Sequence, residues 1–304
     1  MSLHLKYRPD SFESIIGNEE LIASLMGLLQ IPGTLPHSYL LTGPTGCGKT
    51  TIGRILAKEF GCIGSDYREI DSADFRGIDS IREIRKNSQF SPLEGACRVW
   101  MIDECHKLTG DAQSALLKIL EDTPRHVYFI LCTTDPQKLL PTLRGRCTQY
   151  QVNLLNDKQM FNLLRKVVRL EGGTLEKEIY DQIVVDAQGH PRNALQTLNQ
   201  VLQTPVELRL QIARKSAEEL SQSIELCRIL MQTNVKWGQV NSILSGLKDQ
   251  DPENIRRAVL GYCQAILLKT DNVRAGLIME EFIEPFYNSG FPQLVFACYS
   301  VIKT

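Results

Sequence analysis

Along the first half of the chain, short continuous apolar runs alternate with stretches in which apolar residues recur every three or four positions. The runs Ser38–Thr42, Tyr67–Ile70, Arg98–Ile102 and Val127–Cys132 are four to six residues long and read as inner strands. Between them, helical spacing appears in Leu21, Ile22, Leu25, Leu28 and Leu29, and again in Ile52, Ile55, Leu56 and Phe60. It recurs in Ile78, Ile81 and Ile84 over 78–88, and in Ala115, Leu116, Ile119 and Leu120 over 111–122. Strands alternating with helices predict an α/β domain on a parallel sheet. After Cys147 the strand pattern stops. Helices are expected over 157–171, 175–188 and 191–203, the last with Pro191 in its first turn, where proline suits a helix start. Beyond Thr204-Pro205 all remaining periodicity is helical, over 216–231, 237–247, 252–268, 272–287 and a last helix containing 294–302. The expected division is a sheet domain over 1–153, a small helical domain over 154–204 and an all-α domain over 205–304.

Composition narrows the class without choosing a function. The 304 residues carry a formal net charge of −1, so a nucleic-acid partner would have to meet a local basic patch or an assembly. Nine cysteines are scattered without a C-x-x-C pair, which points to a reducing cytoplasm and against a zinc module. The N-terminus has no signal-peptide core, and no run approaches the ~20 apolar residues of a membrane span, so a membrane partner is not expected.

The candidate chemistry begins at Gly43-Pro44-Thr45-Gly46-Cys47-Gly48-Lys49-Thr50, which satisfies G-x-x-x-x-G-K-[ST] between an expected strand and an expected helix. Such a loop aims backbone N–H groups at phosphates, with Lys49 on the β/γ oxygens and the Thr50 hydroxyl on Mg²⁺. Thr51 closes the binding segment, and ATP with Mg²⁺ is the expected ligand pair. Asp103 and Glu104 end the third strand, where open α/β sheets gather ligands. Asp103 is expected on the metal and Glu104 on the water that attacks the γ-phosphate. Thr134, at the next strand end, can place a hydroxyl near the same phosphate. Arg82, Arg85 and Lys86 lie on one expected helix, as a solvated face or as phosphate contacts. His190 reads as a turn residue.

These motifs, taken in order, resemble the AAA+ ATPases, and within them the clamp-loader subunits of DNA replication, both bacterial gamma/tau and the replication factor C small subunits. Leu116-Leu117-Lys118-Ile119-Leu120-Glu121-Asp122 and Thr133-Thr134-Asp135-Pro136-Gln137-Lys138-Leu139 carry the first likeness; Arg76-Gly77-Ile78-Asp79 carries the second. The resemblance covers about residues 5–203. It implies an AAA+ P-loop parallel-sheet domain, a helical lid and an all-α collar for oligomerisation. It also implies an adenine pocket lined by Lys6, Tyr7, Arg8, Pro9, Ile16 and Gly17. Thr134 and Arg192 would sense the γ-phosphate, and Arg146 would be the arginine finger serving a neighbouring subunit's ATP. DNA contact would come from Arg76, Arg82, Arg85 and Lys86, and sliding-clamp contact from Phe90, whose other reading is a core phenylalanine. The implied partners are the clamp, primer–template DNA, other loader subunits in a pentamer by that likeness, and a DNA polymerase. Two positions depart from the pattern: Gly145 replaces the serine usual before Arg146, and no cysteine zinc module follows the phosphate loop. Two other functions fit the same motifs: a branch-migrating or strand-separating AAA+ motor, and a stator-type loader subunit that binds nucleotide chiefly as a scaffold. Processive strand separation would mark the first, and lack of turnover the second.

Overall fold

The computed structural model describes residues 2–31, 35–72, 75, 77–210, 213, 223, 225–232, 235–248, 250–268, 270–286 and 289–303. Two units separate, Met1–Gln203 and Thr204–Thr304.

In the first unit, five parallel strands form one sheet: β1 (Ser38–Thr42), β2 (Tyr67–Asp71), β3 (Arg98–Asp103), β4 (Val127–Thr133) and β5 (Thr148–Gln151), in the order β2-β3-β4-β1-β5. Side chains alternate between its faces. Tyr39, Leu41, Met101, Ile130 and Cys132 pack with Leu25 of α2 (Glu19–Leu29) and Ile52, Ile55 and Leu56 of α3 (Lys49–Glu59). Leu40, Trp100, Ile102, Phe129 and Leu131 pack with Ile81 and Ile84 of α4 (Ile78–Ser88) and Leu116 and Ile119 of α5 (Gly110–Glu121). Each fully buried large aliphatic contributes about 1.5–3 kcal/mol, against about 0–1 for an exposed pair such as Arg54–Glu69. The two apolar layers therefore hold the sheet, and surface charge does not.

A short helix α1 (Leu3–Lys6) precedes this unit's sheet, and α6 (Pro141–Gly145) precedes β5. The sequence pattern showed neither, nor β5. Five residues are too few for helical periodicity, and Thr148-Gln149-Tyr150-Gln151 is a polar edge strand that carries no apolar run. Helices α7 (Asp157–Leu170), α8 (Lys177–Ala187) and α9 (Pro191–Gln203) close the unit. A reciprocal cap starts α7: Asn156 Oδ1 accepts from the Gln159 N–H at 2.9 Å, and the Asn156 N–H donates to Gln159 Oε1 at 3.0 Å.

The second unit holds helices at Trp237–Gly246, Pro252–Leu267, Val273–Phe282 and Gly290–Lys303 around Val259, Ile278, Phe282 and Leu294. The third of these stops at Phe282, short of the expected 287. Most of the expected helix 216–231 lies outside the described residues; residues 225–230 are helical. Arg256 pairs twice with Glu253 and donates to the carbonyls of Phe282 and Ile283. That guanidinium holds the Glu253 carboxyl down at about 2.

One buried carboxylate shapes the connection from α4 to β3. Asp66, fully buried, accepts the N–H groups of Leu93, Glu94 and Gly95 at 2.7–2.9 Å, and the Arg98 guanidinium at 3.3 Å. Arg98 in turn donates to the carbonyls of Asn87 and Ser91. Burial alone would raise the Asp66 pKa, but these donors overcome it and hold the carboxyl far below the ordinary range. Asp66→Ala should cost about 3–5 kcal/mol of unfolding free energy at neutral pH, because Arg98 and three N–H groups lose their acceptor. A folded-state pKa held low contributes fully above the unfolded value of about 3.9 and is lost as pH falls through the folded value. Urea denaturation of both proteins should therefore show a gap that begins to narrow below about pH 4 and goes on narrowing as the pH falls toward the folded value; a constant gap would mean the charge is not what stabilises.

Candidate nucleotide site

The phosphate-loop sequence forms the turn between β1 and α3, and its glycines are there for backbone reasons. Gly43 has φ 150°, and a Cβ on it would run into the Val152 carbonyl, so only glycine lets the loop pass over the end of β5. Lys49 is buried at the start of α3, with Nζ donating to the carbonyls of Gly43 and Pro44, both at 2.8 Å. Thr50 Oγ1 donates to Asp103 Oδ2 at 2.8 Å, which joins the loop to the end of β3 across the intervening β4. The Glu104 N–H donates to Asp103 Oδ1 at 2.9 Å, and Glu104 itself sits in the left-handed region at φ 50°. Its Oε2 lies 3.5 Å from Thr134 Oγ1 and 3.4 Å from His106 Nε2.

A cleft of about 570 Å³ opens over these groups. It is lined by Tyr7, Arg8, Pro9 and Ile16, by Thr45, Gly46, Cys47, Gly48, Lys49, Thr50 and Thr51, by Asp103 and Glu104, and by Leu163, Val167 and Arg192. Gly17, Gly43, Pro44 and Thr134 stand outside the lining. At Gly17 the constraint is packing: φ is 78°, and a Cβ would lie 2.6 Å from Leu155 Cδ2. Burial, then the charges of Arg54 and Arg192, push the Arg8 guanidinium below its usual range, only partly offset by Glu69.

Several ties about the cleft were not visible in the sequence. His190 Nδ1 meets the Thr45 carbonyl at 2.8 Å, fastening the turn before α9 to the phosphate loop. Lys6 Nζ and Tyr7 Oη both donate to Glu171 Oε1, at 2.7 and 2.6 Å, so the N-terminal arm is fixed to the end of α7. Both contacts span over 140 residues and leave no local signal. His106 did have one, since it stands two residues after Glu104 at a strand end. Gln113, buried in the first turn of α5, donates to the carbonyls of Leu108 and Lys138 and accepts the Leu140 N–H at 2.8 Å.

The remaining expected residues lie away from the cleft. Arg146 follows α6, is about half exposed, and pairs with Glu121 at 2.9 Å. Gly145 has no positive φ and nothing within 4 Å of a Cβ, so its backbone does not require glycine and admits serine. Arg82, Arg85 and Lys86 share the exposed side of α4, Arg82 against Asp79 at 2.9 Å. Arg76 lies outside the described residues. Phe90 is 58% exposed and is not a core residue; with Phe75 and Leu93, also exposed, it borders a second groove beside β2 and α4. All nine cysteines are free and buried, and no group of three His, Cys, Asp or Glu side chains among the described residues could hold a metal ion. No described helix is long and apolar enough to cross a membrane.

Residues 64–156 match the family described as DNA polymerase III, delta subunit. The DNA polymerase III subunit gamma/tau of Mycobacterium bovis is 36% identical over 225 residues, covering 66% of this chain and 39% of that protein. The subunit gamma of Buchnera aphidicola is 34% identical over 218 residues, covering 65% of this chain and 60% of that protein. For the subunit tau of Escherichia coli the values are 33%, 65% and 34%. The matches thus span about a third to three-fifths of these relatives' own length. Among solved structures, the Holliday junction branch migration motor RuvB of Thermotoga maritima superposes with a TM-score of 0.62 at 20% identity, over 74% of this chain and 80% of that one, a likeness of fold.

The Gln113 amide binds α5 to the segment that leads into α6 and Arg146. Gln113→Ala leaves one buried donor and two buried acceptors unpaired, at about 1–3 kcal/mol for each group that water cannot reach. We expect a loss of about 2–4 kcal/mol in urea denaturation; a change under about 0.5 would mean that solvent replaces the amide.

Proposed function

We propose, from the premise that the chain belongs to the AAA+ clamp-loader family, that it is an ATP-hydrolysing subunit which loads a sliding clamp on primer–template DNA. The observation that carries this reading is the 2.8 Å bond between Thr50 and Asp103, because it brings a phosphate loop, a metal-binding carboxylate and Glu104 into one cleft. The donor set fits a polyphosphate with a hard cation: a buried ammonium, a hydroxyl, a carboxylate and the crowded guanidinium groups of Arg8 and Arg192.

In this reading Lys49 exchanges its two carbonyl partners for phosphate oxygens, and Thr50 and Asp103 would hold Mg²⁺, which would screen phosphate charge. Tyr7, Arg8, Pro9, Ile16 and Gly17 form the adenine end of the site. Glu104 orients the attacking water and accepts its proton, while Thr134 and Arg192 register the γ-phosphate. Arg146, outside its own cleft, serves the site of a neighbouring subunit, with residues 154–204 as the lid and 205–304 as the collar that brings subunits together. The exposed Arg82, Arg85 and Lys86, with Arg76, follow the DNA backbone; Phe90 anchors on the clamp. A DNA polymerase follows the clamp, and the site of action is the cytoplasm. The 33–36% identity to gamma/tau subunits favours this over a branch-migration motor, whose likeness is one of fold at 20%.

Steady-state ATP hydrolysis tests the reading, measured at one fixed salt concentration because phosphate contacts weaken steeply with salt. Primed DNA should stimulate turnover, and clamp should raise it further; turnover indifferent to both would reject the loader. Glu104→Gln should bind ATP and lose about 10²–10⁴-fold in kcat. Lys49→Ala should weaken ATP binding itself. Arg146→Ala should keep ATP binding and lose about 10³–10⁵-fold in turnover. Mixing it with the Glu104→Gln protein should restore part of that turnover, since sites form with an intact Arg146 on one side and an intact Glu104 on the other; no recovery would reject action across subunits.

A further inference from the structure

His106 lies beside the reacting end of the cleft with one ring nitrogen on each of two groups. Its side chain is about one-tenth exposed. Nδ1 is 3.0 Å from Thr133 Oγ1, and Nε2 is 3.4 Å from Glu104 Oε2. Thr133 is fully buried at the end of β4, and its Oγ1 also accepts the Asp135 N–H at 3.0 Å. The hydrogens follow from what each partner can do. A carboxylate only accepts, so Nε2 carries the proton. With the proton on Nε2, Nδ1 is the ring's acceptor, and the Thr133 hydroxyl hydrogen is the donor that meets it. Polar contacts thus link the Asp135 N–H, the Thr133 hydroxyl, the His106 ring and, at 3.4 Å, the Glu104 carboxylate.

We propose that His106 is a positioning residue for hydrolysis, which fixes the rotation of the Glu104 carboxylate by holding Oε2 against the end of β4. The inference rests on the reading of Glu104 as the group that orients the attacking water. Oε2 has a second partner, Thr134 Oγ1 at 3.5 Å. When Thr134 turns toward a γ-phosphate, Oε2 loses that partner, and His106 keeps the carboxylate from rotating at the moment its other oxygen meets water. His106 is tied to Thr133, one residue before Thr134, so the sensor strand and the water-orienting carboxylate move as one unit. Orientation of this kind acts on kcat and leaves nucleotide affinity alone.

The test uses the full chain under the conditions that give its highest turnover, with wild type and Glu104→Gln as references. His106→Ala should lower kcat about 10–100-fold, the range usual for an outer group that orients an active-site ligand. KM and the affinity for a fluorescent ATP analogue should stay within twofold. His106→Gln, whose amide can donate to the carboxylate, should recover part of the loss. Thr133→Val should lower kcat less, and its effect should vanish in the His106→Ala background. A His106→Ala kcat within twofold of wild type, or a loss matched by equal loss of ATP affinity, overturns the proposal. A second measurement does not depend on turnover. In long-range ¹H–¹⁵N spectra of histidine-labelled protein, His106 should show a protonated Nε2 and an unprotonated Nδ1, with Nδ1 shifting in Thr133→Val. The opposite tautomer overturns the proposal even if turnover is normal. Unimpaired Glu104→Gln instead rejects the role of Glu104, and the two failures are thereby told apart.

Discussion

The hydrogen bond from Thr50 to Asp103 depends on strand order more than on either residue. β4 lies between β1 and β3, so the helix that leaves β1 has to reach over a third strand end to touch the carboxylate of β3. In a parallel sheet all those ends lie at one edge, and the reach is short. The same edge holds Thr133 and Thr134. The loop, the carboxylate pair and the threonines are therefore set by three inner strands that are almost wholly buried, and their precision comes from the two apolar layers beneath.

Around that rigid edge, the cleft is completed by segments held in a different way. The turn before α9 hangs on the Thr45 carbonyl, and the arm hangs on Glu171. These are polar contacts, the Glu171 pair solvent-exposed, and they are weaker than core packing. A stable floor with lightly fastened walls suits a site that admits and releases a large anionic ligand, because the walls can shift without disturbing the strand ends.

Much of this was legible in the sequence because the inner strands are continuous apolar runs and their helices have clean three-four spacing. Helix 78–88 and helix 191–203 have the expected limits. Elements too short or too polar to show a period were invisible: β5, α6 and α1. The site followed the same division. The phosphate loop and Asp103-Glu104 announce themselves because their chemistry needs fixed local spacing. Gln113, Glu171 and Asp66 act on segments 25 to 165 residues away, by contacts that no local pattern encodes. Phe90 shows the limit from the other side, since an isolated phenylalanine near a helix end reads equally as core or surface until the fold exposes it.

The two carbonyl bonds on Lys49 have a consequence for what the loop will accept. An ammonium that already has two good acceptors is not a vacant charge waiting for any anion. A competitor must replace both bonds and repay the loss of its own hydration, so chloride or a lone carboxylate gains little by entering. A ligand with several oxygens on one rigid framework can replace both at once, and also meet the loop N–H groups. On the proposed reading, the loop sets an entry threshold and discriminates by the number of contacts offered together before overall charge has any say.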